Sequence, residues 1–171
     1  FHVAMLWGRP LYEAKAAVIG RGNVARGAVR VLDRMGCHVT VYGRQTVSLL
    51  RKEIDQYDVV VNAVLWDVFR TDHIIYEEDL DRMKAGSIIV DISCDEAMGV
   101  QTSRPTTIED PIYYHKGVMH YVVDHVPTLL FRAATESISR EVVRFLPELI
   151  DGRSGPTIQK ATIIDQGRIV D

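Results

Sequence analysis

An apolar run from Ala16 to Ile19 passes at once into Gly20-Arg21-Gly22-Asn23-Val24-Ala25. From Asn23 to Met35, Val24, Ala28, Val31, Leu32 and Met35 then recur at helical spacing, which predicts a helix with one buried stripe. This order constrains the fold more than anything else in the chain. The first glycine lets the backbone leave a strand in a tight turn, and the second lets it approach an anion with no Cβ in the way. The small Ala25 lets the helix pack close to the strand. Gly27 follows, and Gly36 is placed to cap the helix at its C-terminus. The spacing G-x-G-x-x-A, after a strand and at the opening of a helix, points to a pyrophosphate cradle at free N–H groups. Two other readings of the same glycines are a tight turn with no ligand and a loop for S-adenosylmethionine.

Downstream, His38 to Tyr42 reads as a second strand, and here the chain departs from the usual pattern. A carboxylate normally stands about 20 residues past the loop, on the ribose hydroxyls. Between His38 and Leu50 there is none; Gly43, Arg44 and Thr46 follow the strand instead. A cation and a hydroxyl suit a 2′-phosphate, and removal of the acid removes the repulsion that would exclude it. NADP(H) is therefore the expected cofactor, with NAD(H) as the alternative; Arg44 as a solvated loop residue is the competing reading.

The alternation continues. Val47 to Gln56 reads as a short helix, and Val59 to Leu65 as a strand with no polar alternation, as expected when both faces are covered. Tyr76 to Gly86 reads as a helix, Ser87 to Ser93 as a strand, and Gly117 to Pro127 as another. The expected fold class is α/β: a Rossmann-type doubly wound parallel sheet with helices on both faces. Thr135 to Ile150 reads as an amphipathic helix with Ile138, Val142, Phe145, Leu146 and Leu149 on one face and a kink or early end at Pro147. A small hairpin should turn at Asp165-Gln166-Gly167.

The 171 residues carry a net charge of -3, with no basic excess that would suggest nucleic acid. The apolar runs are strand-length and too short to span a membrane. Cys37 and Cys94 have no metal-type spacing and read as free thiols of a reducing compartment, which makes the cytoplasm the expected location. His2, His38, His73, His115 and His120 show no metal spacing, so no metal site is expected. Glu109-Asp110 before Pro111 reads as a turn, and Asp91 as a hydrogen-bonded structural group. Phe1 falls within what reads as a helix, so a preceding N-terminal part is expected. Residues 1–14 would then be a linker helix, 15–134 the dinucleotide-binding domain, and 135–171 a helix and tail.

The segments "NAVL", "SIIVDISCDEAMGVQTSRPTTIEDPIYYHKGVMHY" and "VVDHVPTLLFRAAT" resemble the cofactor domain of the alanine dehydrogenase and transhydrogenase family. Within it, "VYGRQT" and "YVVDHVPTLLFR" look closer to the carboxyethylornithine synthase branch. The likeness runs from Gly8 to about Leu149, with "TSRPTT" and the strand after it as its most specific parts. It implies a two-domain protein whose N-terminal substrate domain carries a catalytic lysine and histidine, with the C-terminal helix and tail packing toward that domain. Gly20, Gly22, Asn23 and Val24 match the pyrophosphate loop, and Ala63, Val64 and Leu65 match the nicotinamide side. Asp95 matches an acidic active-site residue, with capping of a nearby loop as its other reading. His125 stands where alanine dehydrogenases carry an asparagine near the nicotinamide, and a satisfied histidine is its other reading.

The resemblance implies an NADP(H)-dependent oxidoreductase acting on CH–NH bonds, joining pyruvate to an amino acid such as ornithine by reduction of an imine. Alanine dehydrogenation, with ammonia as the amine, is the alternative. Saccharopine-type chemistry and a non-catalytic dinucleotide-binding module are the others. The expected partners are a small keto acid and an amine, and a homo-oligomer is expected from the apolar helix face.

Overall fold

The computed structural model describes residues 2–152 and 155–170. It divides into two units, Phe1–Asp124 and His125–Asp171. The first contains α1 (His2–Trp7), β1 (Lys15–Ile19), α2 (Asn23–Arg34), β2 (His38–Tyr42), α3 (Val47–Glu53), β3 (Val59–Asn62), β4 (Ile88–Asp91), β5 (Ile112–His115) and β6 (Val118–Tyr121). Six strands form one sheet in the order β2-β1-β3-β4-β6-β5, all parallel except β5, which pairs antiparallel with β6.

The near-continuous apolar strands are explained by a sheet covered on both faces. Ala17 and Ile19 of β1 pack with Leu50, Ile54 and Val60 on one face, whereas Ala16 and Val18 pack with Ala25, Leu32 and Val59 on the other. The helix α1 belongs to the second face: Val3, Leu6 and Trp7 lie against that core, and Trp7 Nε1 donates to the Gly86 carbonyl at 2.9 Å. The expected stripe of α2 is rotated. Ala25, Ala28, Val29 and Leu32 face the sheet, while Val24 and Val31 are exposed. The rotation follows from Ala25, which is pressed close to the strand end by the glycine turn.

Other elements also differ from expectation. The third strand stops at Asn62, so Ala63 to Leu65 form the turn beyond it. Tyr76 to Gly86 holds only a 3-10 helix, Glu77–Arg82. The Asp79 carboxylate folds back to accept from the Tyr76 N–H at 2.9 Å and is buried against Arg51 and Arg82, which tightens the turn. The strand expected from Gly117 is the second arm of a hairpin, and β5 has no counterpart among the elements expected from the sequence. Lys116 and Gly117, both at positive φ (48° and 77°), make the two-residue turn.

The second unit holds a 3-10 turn (Val126–Leu130), α4 (Phe131–Val142), a 3-10 turn (Val143–Phe145), α5 (Leu146–Ile150), α6 (Pro156–Ala161), and a hairpin of β7 (Ile164–Asp165) and β8 (Arg168–Ile169). The expected helix therefore starts earlier and breaks ahead of Pro147, which occupies the first turn of α5. Gln166 and Gly167, at positive φ, turn the hairpin. Ile138, Val142 and Leu149 are exposed.

Candidate functional site

Strand register brings the candidate residues together. Ile19 is level with Tyr42 on one side and with Asn62 on the other, so three strand-end turns leave the sheet at one height. Gly20 N–H donates to the Tyr42 carbonyl at 2.8 Å, and Ala63 N–H donates to the Ile19 carbonyl at 3.0 Å. Beyond these ends lies a cavity of about 620 Å³, where ligands of open parallel sheets bind. Of the residues singled out in the sequence as cofactor-binding, Gly20, Arg44, Val64 and Leu65 line it. Gly43, which stands where the sequence lacks the expected acid, lines it too, and Arg21, Tyr42, Trp66, Asp67 and Arg70 are among the lining residues that carry no sequence signal of their own.

The two fingerprint glycines do different work. Gly20 sits at φ +116°, and a Cβ there would lie 2.9 Å from the Ala63 carbonyl oxygen and 3.4 Å from Ala25 Cβ. A Cβ on Gly22 would meet nothing within 4 Å. Gly20 is thus required by packing, whereas Gly22 keeps a bare backbone facing open space at the start of α2. Asn23 and Val24 form the first turn of that helix, both exposed, and Asn23 Oδ1 accepts from the Arg26 guanidinium.

At the end of β2, the Thr46 hydroxyl accepts from the Gly43 N–H at 3.0 Å and donates to the Gly43 carbonyl at 3.4 Å, which holds the turn into α3. Arg44 is exposed on the cavity wall. Among the described residues, neither Arg21 nor Arg44 has a hydrogen-bond or ion-pair partner. Arg70 differs: its Nε donates to Asp72 at 2.7 Å, and its guanidinium stacks 4.0 Å over the Trp66 ring. Tyr42, at the cavity floor, is buried with its hydroxyl 2.6 Å from Glu53 and 2.5 Å from the Tyr57 hydroxyl. Burial, then the Glu53 hydrogen bond, raises its pKa far above the ordinary tyrosine value.

Behind the turn after β3, the buried Asp91 carboxylate accepts from Asn62 Nδ2 at 2.9 Å, Ser93 Oγ at 2.7 Å and Ser103 Oγ at 2.5 Å. Asn62 Oδ1 in turn accepts from the Val64 N–H at 3.3 Å. Asp91 is a structural hub, as its place within the strand suggests. The loop beyond it carries Cys94 and Ala97 at positive φ (57° and 51°) and the half-buried Asp95. Cys94 Sγ donates to the Val123 carbonyl at 3.1 Å; burial, with Asp91, Asp124 and Asp95 nearby, pushes its pKa up to about 11. His125 opens the second unit with left-handed backbone (φ 59°), its carbonyl accepting from the Thr128 N–H and hydroxyl at 2.8 Å.

Among the described residues, no group of three His, Cys, Asp or Glu side chains could hold a metal ion, and no helix is long and apolar enough to cross a membrane.

The family model for the alanine dehydrogenase/PNT C-terminal domain matches residues 43–171, which leaves the glycine turn to be judged on its own geometry. The chain is 30% identical over 139 residues to N(5)-(carboxyethyl)ornithine synthase of Clostridium botulinum, covering 81% of this chain and 44% of that protein. It is 31% identical over 156 residues to alanine dehydrogenase 1 of Staphylococcus aureus, covering 86% and 42%. The chain thus spans less than half the length of these relatives. Among solved structures, a transhydrogenase from Sinorhizobium meliloti aligns with a TM-score of 0.80 over 98% of this chain and 55% of its own, at 20% identity. An L-alanine dehydrogenase aligns with a TM-score of 0.75 over 93% and 51%, also at 20% identity. These two likenesses establish the fold. The extent of the family match settles the rest: this chain belongs to the alanine dehydrogenase/PNT C-terminal domain family.

Proposed function

We propose that this chain is the nucleotide-binding half of an NADP(H)-dependent oxidoreductase acting on CH–NH bonds. One observation carries the reading: Arg44 shares a cavity wall with the glycine turn, and no carboxylate stands between His38 and Leu50. The residues fit a dinucleotide. Gly22 presents backbone to open space where a Cβ would obstruct a pyrophosphate, and the first N–H groups of α2 lie beside it. Asn23 and Val24 continue that cradle, Arg44 takes the 2′-phosphate, and Thr46 holds the Gly43 turn that presents Arg44. Ala63, Val64 and Leu65 form the wall toward the nicotinamide side.

When bound, the nicotinamide supplies the hydride that reduces an imine to a secondary amine. This chain positions the reactants and manages protons. Asp95, in the loop after β4, holds the substrate ammonium and takes its proton, and His125 contributes a cofactor contact. The rest of the machinery, a lysine and a histidine, would lie in an N-terminal substrate domain joined through residues 1–14, with 15–134 binding the dinucleotide and 135–171 packing toward that domain. The substrates would be pyruvate and an amino acid such as ornithine, as the name of the Clostridium relative suggests. The similar match to an alanine dehydrogenase supports a second reading, with ammonia as the amine.

The test is NADPH oxidation by the intact protein with pyruvate plus ornithine against pyruvate plus ammonia. Turnover with ornithine is expected, and turnover with ammonia alone would overturn the synthase reading. Arg44→Ala should weaken NADPH binding while sparing NADH; unchanged NADPH affinity would remove Arg44 from the 2′-phosphate site.

A further inference from the structure

The register Ile19↔Tyr42 brings Gly20, the first residue beyond β1, level with Gly43, the first beyond β2, so two turns from adjacent strands meet. In that meeting, the side chain of Arg21 lies across Gly43. A Cβ on Gly43 would stand 2.8 Å from Arg21 Nε and 3.3 Å from its Cδ. Gly43 has no positive φ, so its backbone conformation does not call for glycine; a side chain there would instead displace the Arg21 side chain from where it lies. Position 43 is also where the ribose-binding carboxylate of an NAD site would be expected. Here that space holds a cation from the glycine turn.

We propose that Arg21 is a specificity-determining residue that acts with Arg44 to grip the 2′-phosphate of the adenine ribose, and that Gly43 is glycine to admit it. The inference rests on the NADP(H) reading above. Two exposed guanidiniums, neither with a partner among the described residues, line one cavity wall within adjacent turns. Asp67 is the carboxylate among the lining residues, and its Oδ1 accepts from the Phe69 N–H at 2.9 Å. Two cations facing one cavity repel each other until an anion lies between them, and a phosphate dianion offers acceptors to both forks.

Calorimetric titration of the full chain with NADPH and with NADH, in wild type, Arg21→Ala, Arg21→Lys and Gly43→Asp, tests this. Charge-assisted contacts of this kind predict that Arg21→Ala lowers NADPH affinity by roughly ten- to a hundredfold while NADH changes little. Arg21→Lys should restore part of the loss. Gly43→Asp, which meets only the movable end of Arg21, should shift the preference toward NADH. Equal loss of both cofactors would place Arg21 on the shared pyrophosphate, and no loss of either would remove it from the site; each overturns the inference while leaving the NADP(H) reading intact. A wild-type chain that binds neither cofactor, or prefers NADH, would overturn that reading and this inference together. Thermal melts matching wild type will show that the variants are folded.

Discussion

Asn62 at the end of β3 donates its amide to the carboxylate of Asp91 at the end of β4 across 2.9 Å, and both residues are buried. The bond joins the turn that forms one cavity wall to the loop that carries Asp95. Removing the acceptor takes a hydrogen-bond partner from the buried Asn62 and Ser103 and from the half-buried Ser93, and leaves Asn62 Nδ2 with only a long 3.4 Å contact to Ser93 Oγ. Asp91→Ala should therefore destabilise the chain by about 3 kcal/mol, with a smaller loss for Asp91→Asn, which keeps the volume. Urea unfolding followed by circular dichroism measures both.

The glycine turn makes a paired prediction. Gly20→Ala meets the Ala63 backbone at 2.9 Å in a left-handed conformation, so it should cost about 2 kcal/mol or more in stability as well as nucleotide binding. Gly22→Ala meets nothing. Its melting temperature should stay near wild type while NADPH affinity falls. Thermal melts and calorimetric titration on the same samples separate the two effects; equal destabilisation by both would contradict the division of labour.

His120 is fully buried and stacked on Tyr113 with ring centroids 4.8 Å apart. The Val118 carbonyl can only accept, so Nδ1 carries the proton and Nε2 accepts from the Thr102 hydroxyl at 2.8 Å. Burial first, helped by the charges of His115 and Arg104 and opposed by the Val118 carbonyl and the Asp91 carboxylate, pulls its pKa down to about 4. The neutral ring is the folded form, and unfolding lets it take a proton at about pH 6.5. Stability from this group is present above pH 6.5 and is lost as the pH falls toward 4, by on the order of 2 kcal/mol. Urea midpoints at pH 7, 5.5 and 4.5 should fall accordingly, with a shallower fall in His120→Asn.

Burial raises the pKa of both thiols, Cys94 to about 11. At pH 8 iodoacetamide should leave Cys37 and Cys94 largely unmodified over a period that fully labels the chain in urea. Mass spectrometry of the two samples reads this directly.

The β1-α2-β2 unit was legible because its signals are local. An apolar run, glycines at fixed offsets and a helical stripe each report on a few neighbouring residues. Even there, the stripe misjudged which face of α2 is buried, since that depends on how closely Ala25 meets the strand. The β5–β6 hairpin is poorly legible because Lys116-Gly117 is a weaker turn signal than Asn-Gly, and because Pro111 immediately precedes its first strand. The segment from Tyr76 lost its α-helix to a buried carboxylate, Asp79, whose partner Arg51 is distant in sequence. Arg44 could be picked out by the absence of an acid. Arg21 could not, since its meaning arises only when strand register sets it beside Gly43; a glycine in place of the expected acid was the one available hint.

The contact between Gly20 and the Ala63 carbonyl also sets a rule for recombining this domain with its relatives. The two positions form one joint, although a whole βαβ crossover separates them in the chain. A chimera whose crossover point falls between them inherits half of the joint from each parent and closes only if the incoming turn matches the retained strand end. A crossover placed beyond Ala63 carries the joint over whole, together with Arg21, Gly43 and Arg44. The cofactor preference proposed for those residues would then travel with that one segment.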